Sequence, residues 1–270
     1  MDFIRKLDAA IERNRSLLCV GLDPDPALMP ESLQVLDFNR AIIDATSGLV
    51  CAYKLNFAFY EALGADCFNV LRSTLKHVPA GIPVIADAKR GDIGNTARMY
   101  AGAIFSSLGF DAATVNPYLG FDSIEPFISY GDKGVFILCR TSNSGSADFQ
   151  SLKCAVEGQI LPLFRAVAQK ASGWNTRGNI GLVVGATHPD ELKIIRQKHP
   201  EMPILIPGIG AQGGDLEKAV TFGVDARGAG AMICSSRQVL YASRGKDFAR
   251  AACAAAAGLR EDINRYRGRQ

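Results

Sequence analysis

Eight short apolar runs recur along the 270 residues of this chain: Leu17–Gly21, Val50–Leu55, Pro83–Ala86, Ala112–Asn116, Gly134–Cys139, Ile180–Val184, Ile204–Ile206 and Ala229–Cys234. Amphipathic stretches of helical length separate them, among them Leu33–Thr46, Phe57–His77, Thr96–Leu108 and Leu152–Lys170. Apolar runs this short, spaced by helical patterns, predict strands alternating with helices and so an α/β protein with a parallel sheet. A count of eight is what a closed (β/α)8 TIM barrel requires, and one barrel would hold residues 1–270 as a single domain. A doubly wound open sheet is the competing architecture. Pro, Gly and Asn cluster after the apolar runs and not in one linker, so no domain boundary is expected. The alanine-rich stretch Ala249–Ala257 has charged neighbours and reads as an outer helix.

Composition excludes several classes of function. A net charge of +3 is too small to point to nucleic acid or a membrane surface. No stretch has the 18 apolar residues a membrane span needs, and the start Met1–Leu7 lacks the apolar core of a signal peptide. The seven cysteines are scattered and odd in number, without a Cys-x-x-Cys pair. That usage predicts reduced thiols in the cytoplasm, each a small buried hydrophobe, and neither a disulfide framework nor a zinc site.

The chemistry collects at the ends of the apolar runs, where a barrel carries its active site. After Ile82–Ala86 the chain reads Asp87-Ala88-Lys89-Arg90-Gly91-Asp92. Alternation along a strand puts Asp87 and Lys89 on one face, and a turn at Gly91 brings Asp92 after them. Two carboxylates and an ammonium are thus expected to meet at the end of a buried strand, which is costly unless they pair and so marks a candidate site. The bland reading is a solvated surface cluster. The other ends agree with a site: Gly21-Leu22-Asp23-Pro24, Lys54-Leu55-Asn56, Arg140-Thr141-Ser142-Asn143, and Ser235-Ser236-Arg237. Pro207-Gly208-Ile209-Gly210-Ala211-Gln212-Gly213-Gly214 reads as a phosphate loop, with backbone N–H groups, a helix N-terminus after this and after the last strand end, and the Arg237 fork as donors. His77 and His199 fit helix ends, and His188 fits a helix start; no Ser/His/Asp or Cys/His set stands out. Catalysis on this chain would run on lysine and aspartate.

Lysine and aspartate at the strand ends are open to a sugar-phosphate lyase or epimerase with Mg²⁺ on Asp87 and Asp92, to a Schiff-base aldolase using Lys54 or Lys89, and to a non-catalytic nucleotide-binding barrel.

The segment Asp87–Thr96 resembles the signature of the orotidine 5′-phosphate decarboxylase family. Lys54-Leu55-Asn56, Thr141-Ser142-Asn143, Pro207–Gly214 and Arg237 match that family in order and spacing. The resemblance runs from about residue 17 to 241 and is similar to the longer bacterial branch. It implies decarboxylation of orotidine 5′-phosphate to uridine 5′-phosphate in pyrimidine biosynthesis, with no cofactor and no metal. It further implies that Lys89 donates the proton and that Asp87 faces the departing carboxylate, with Lys54 and Asp92 completing an alternating charge array. Asp23 and Lys54 would hold the ribose hydroxyls, Ser142 would read the pyrimidine edge, Gln212 would bridge base and phosphate, and Asn56 and Thr141 would be further substrate-binding residues. The glycine loop with Gly208 and Arg237 would bind the phosphate, and Pro207 and Ser236 would be further substrate-binding residues. A homodimer is implied as well, in which Asp92, Ile93 and Thr96 enter the neighbouring subunit's site.

Overall fold

The computed structural model describes residues 1–210 and 213–268. Among them the strands are β1 (Leu18–Gly21), β2 (Ala52–Asn56), β3 (Val84–Arg90), β4 (Ala112–Val115), β5 (Gly134–Arg140), β6 (Lys153–Val156), β7 (Gln159–Pro162), β8 (Ile180–Val184), β9 (Ile204–Ile206) and β10 (Ala231–Ser235). Eight of them close into one parallel barrel in the order β1-β10-β9-β8-β5-β4-β3-β2, with helices around it. The fold is therefore a (β/α)8 TIM barrel and not an open sheet. Closure comes from β1 on β10, in the register Leu18↔Ile233, Cys19↔Cys234 and Val20↔Ser235. The strands are buried on both faces, which is why they read as continuous apolar runs and not as alternating ones.

The amino end of the barrel is sealed by the helix Phe3–Asn14, whose start Asp2 caps through the Arg5 N–H at 2.9 Å. Phe3 meets the ring of Phe136 edge-on at 5.7 Å. The alanine-rich stretch lies within the helix Phe248–Arg267 and buries Ala252 and Ala256, as an outer helix should. No helix among the described residues is long and apolar enough to cross a membrane. All seven cysteines are free; five are buried, while Cys154 and Cys253 are partly exposed.

Four sequence expectations need correction. Leu152–Lys170 is not one amphipathic helix. Its first half is the antiparallel β6–β7 hairpin, and the helix spans Leu163–Trp174. Glu157 and Gly158 both take positive φ, 50° and 78°, which is the two-residue hairpin turn that follows the twist of the strands. Pro162, with no N–H to give, ends the hairpin and starts the helix. Phe57–His77 breaks into Phe57–Glu61 and Cys67–His77 around a short 3₁₀ turn. Thr96–Leu108 begins earlier, at Gly94, and widens into a π-helix over Gly102–Leu108. The last strand starts at Ala231, two residues later than expected, because Gly228 and Gly230 stand at φ 69° and 73°, outside strand geometry.

Candidate functional site

The carboxyl ends of the barrel strands surround a cavity of about 790 Å³. At its floor lies Asp87 of β3. Lys54 of β2 donates from Nζ to Asp87 Oδ2 at 2.9 Å, and Lys89 donates from Nζ to Oδ1 at 2.7 Å. Thr114 of β4 donates its hydroxyl to the same Oδ1 at 2.9 Å. Burial by itself would push the Asp87 carboxyl up, but Lys54 and then Lys89 outweigh it and hold it well below the usual carboxylate range. Burial likewise works against the Lys54 ammonium, and Asp23 and Asp87 override it, so Lys54 stays protonated well above its ordinary range. Lys54 and Asp87 have side chains 7% and 10% exposed, whereas that of Lys89 is 48% exposed. Lys89 is thus the arm of the array that a bound molecule can touch.

Lys89 does not reach Asp87 by plain alternation. Pairing of β3 with β4 shifts register between Ala86 and Arg90, and Lys89 sits at φ 49°, the left-handed region that non-glycine residues avoid. Such a backbone costs about 1–3 kcal/mol and persists where neighbours fix it. The neighbour here is Thr114, whose Oγ1 accepts the Lys89 N–H at 3.0 Å while donating to Asp87.

Asp23 forms the next corner. Its Oδ1 lies 3.6 Å from Lys54 Nζ and accepts the Asn56 N–H at 3.2 Å, and its Oδ2 accepts the Ser236 hydroxyl at 2.7 Å. Asn56 also caps the helix Phe57–Glu61 by accepting the Ala58 N–H. Across the cavity, Thr141 and Ser142 follow β5, and the Thr141 N–H donates to Gln150 Oε1 at 2.8 Å. The loop crosses tight against Gly185, where a Cβ would fall 2.7 Å from the Ser142 Cβ. Pro207, Gly208 and Arg237 close the rim. Arg237 pairs with no carboxylate among the described residues, so its fork is available to an anion. The helix Leu216–Gly223 is not: Asp215 caps it by accepting the Lys218 N–H at 3.1 Å. Of the helix starts expected after the last two loops, this one is capped by its own Asp215, while the start of the short helix Arg237–Leu240 at Ser236 has no side-chain cap and stays beside Arg237 at the rim.

The family model of the orotidine 5′-phosphate decarboxylase / HUMPS family matches residues 16–252, most of the chain and every corner of this cavity. The chain belongs to that family. A curated orotidine 5′-phosphate decarboxylase from Dehalococcoides mccartyi is 56% identical over 269 residues, covering all of both chains. Among solved structures, the Leishmania donovani OMP decarboxylase is 42% identical with a TM-score of 0.86, covering 99% of this chain and all of that one. The Leishmania donovani UMP synthase is 43% identical with a TM-score of 0.88, and this chain spans 57% of its length.

Within this decarboxylase-family barrel, Asp23, Lys54, Asn56, Asp87, Lys89, Thr141, Ser142, Pro207, Gly208, Ser236 and Arg237 all line the one cavity. Gln212 lies outside the described residues. Asp92, Ile93 and Thr96 do not line it. Asp92 accepts its neighbour Ile93 N–H at 2.8 Å and has no ion pair with Lys54 or Lys89. The two carboxylates and the ammonium therefore do not meet within one chain, because Gly91 carries the strand out against Asn116, where a Cβ would strike the Asn116 carbonyl at 2.7 Å. Arg140, at the end of β5, also faces away from the cavity, over the ring of Phe164. The residue that sequence reasoning missed is Thr114. Its signal was a lone hydroxyl in the run Ala112–Val115, one position before a strand end.

Replacing Lys54 by Met would leave the buried Asp87 with Lys89 as its one ammonium and the half-buried Asp23 with none. Removing one partner of a buried pair costs about 3–5 kcal/mol. Urea unfolding should show that loss for Lys54→Met; a change below about 1 kcal/mol would contradict the charge balance described.

Proposed function

We propose that this protein converts orotidine 5′-phosphate to uridine 5′-phosphate and CO2, a step of pyrimidine biosynthesis, using no cofactor and Lys89 as proton donor. The observation that carries the reading is Asp87, held ionised between two ammoniums at the floor of a cavity whose far rim offers an unpaired arginine. As the C–C bond to the carboxylate breaks, its electron pair stays on the ring carbon. The Lys89 ammonium lowers the energy of that carbanion and then transfers its Nζ proton to it; water later restores the proton. Asp87 faces the substrate carboxylate, and the like-charge contact is relieved as CO2 leaves.

Asp23, Lys54 and Asn56 take the ribose hydroxyls, and Thr141 and Ser142 the pyrimidine edge. Pro207, Gly208, Ser236 and Arg237 take the phosphate, and Gln212 bridges base and phosphate. Arg237→Ala should cost roughly 2–3 kcal/mol in kcat/KM for the nucleotide and little for the nucleoside, since the fork serves only the phosphate. Steady-state kinetics on both substrates checks this; equal losses would place Arg237 in another role.

On the same reading the active unit is a homodimer. Ile93, Met99, Tyr118, Leu119 and Phe121 expose large apolar side chains on adjoining segments, Tyr118 at 80%. A patch of this kind is what a self-complementary interface covers. Asp92 stands beside it, turned out of its own site, and a partner's cavity is where its carboxylate would complete the array. Residues 1–270 act as one domain, in the cytoplasm, where the free cysteines stay reduced.

The Mg²⁺-dependent lyase is the weaker reading, because both Asp87 oxygens are occupied by ammoniums and Asp92 is turned away. A Schiff base on Lys54 is disfavoured by its locked protonation. Incubation with orotidine 5′-phosphate should yield uridine 5′-phosphate and CO2 in equal amounts by mass spectrometry and headspace analysis. No turnover of that nucleotide, or turnover of a sugar phosphate in its place, would sink the proposal.

A further inference from the structure

Arg140 is an anomaly that the reaction does not use. Its side chain is only 5% exposed, yet it lies outside the cavity. Pairing of β5 with β8 shifts register between Leu138 and Arg140. Leu138 lines the cavity, Cys139 donates its thiol to the Phe164 carbonyl on the outer layer, and the bulge turns Arg140 outward as well. There its guanidinium stacks 5.9 Å over Phe164.

Its donors go to two separate elements. Nε donates to Glu191 Oε2 at 2.6 Å on the helix Pro189–Lys198, which packs outside the barrel. Nη1 donates to the Ser146 hydroxyl at 2.9 Å, in the loop that follows β5. His188 bridges the same pair, with Nδ1 3.5 Å from Arg140 Nη2 and Nε2 3.5 Å from Ser146 Oγ. Ser146 is buried although the loop around it is largely exposed. Between these anchors the loop carries Thr141, Ser142 and Asn143 into the cavity, and Gln150 ties its far end back to Thr141.

We infer that Arg140 is a positioning residue: it fixes the loop Thr141–Gln150 through Ser146 and thereby sets where Ser142 meets the base. The inference rests on the reading that this loop binds the pyrimidine. The guanidinium touches no substrate. It suits the task because one rigid fork can hold a carboxylate and a hydroxyl in fixed relative positions, which a lysine ammonium cannot do in the same way.

The test separates base binding from phosphate binding. Inhibition constants for uridine 5′-phosphate and for ribose 5-phosphate are measured on the full-length protein and on Arg140→Met, Arg140→Lys, Ser146→Ala and the Arg140→Met/Ser146→Ala double variant. Arg140→Met and Ser146→Ala should each weaken the nucleotide about 10-fold or more, the size of a lost charge-assisted hydrogen bond, and leave the sugar phosphate within about twofold. Arg140→Lys should recover only part of the loss. The double variant should be no weaker than Arg140→Met alone, since both act through one contact. Parallel loss for both ligands, no loss for either, or full recovery by lysine would overturn the inference. Ser146 itself lines the cavity, so should Arg140→Met fail to fold, Glu191→Gln decides the matter: it loosens the Arg140 fork from outside the cavity, and it should weaken the nucleotide selectively, whereas no selective loss would overturn the inference. A wild-type protein that does not turn over orotidine 5′-phosphate would sink the functional reading itself, and that result is seen before any variant is compared.

Discussion

Lys89→Ala should lower kcat for orotidine 5′-phosphate by about 10⁴-fold or more while the protein stays folded. Two separable contributions end together: proton transfer from a positioned donor, about 10²–10⁴-fold, and stabilisation of the developing carbanion by the ammonium, about 10²–10³-fold. The fold should survive because Asp87 keeps Lys54 and the Thr114 hydroxyl as partners. The half-exposed Lys89 leaves no buried cavity behind. Residual activity is read from single-turnover kinetics and folding from thermal melting. A folded variant with rates within tenfold of wild type would remove Lys89 from the chemistry.

Mixing two inactive variants should restore activity. If Asp92 serves the partner's cavity, each site of a two-fold dimer joins Lys89 of one chain to Asp92 of the other. Lys89→Ala and Asp92→Ala homodimers would each be nearly inactive. A heterodimer would hold one site with both substitutions and one with neither. Random exchange makes about half the dimers mixed, so roughly a quarter of all sites become wild type. Recovered activity near that fraction supports a shared site. No recovery, with mixed dimers verified by native mass spectrometry, would mean that Asp92 belongs to its own chain's function.

The barrel was legible because each parallel strand is buried on both faces and leaves an unbroken apolar run, and because turn residues follow each run. The site was legible where polar residues end such runs, as with Lys54 and Asn56. Hidden from that reading was anything set by a departure from regular geometry. Lys89 meets Asp87 through a left-handed residue in a shifted register. Arg140 leaves the cavity through a second shift, which strict alternation would not place. The β6–β7 hairpin is not legible because Glu157-Gly158 is a weaker turn pair than Asn-Gly, and its strands have the same mixed composition as a surface helix. Thr114 does not stand out in the sequence, because a threonine in a strand is ordinary; only the contacts to Asp87 and to the Lys89 N–H give it meaning.

The central claim is that the charge array on Lys54, Asp87, Lys89 and a partner-supplied Asp92 decarboxylates orotidine 5′-phosphate without a metal. The most direct measurement is the loss of orotate absorbance from orotidine 5′-phosphate, followed with protein stripped of metals and assayed in EDTA. The account predicts full turnover, unchanged on adding Mg²⁺. Activity absent in EDTA and restored by Mg²⁺ would contradict it and move the carboxylates to a metal-binding role.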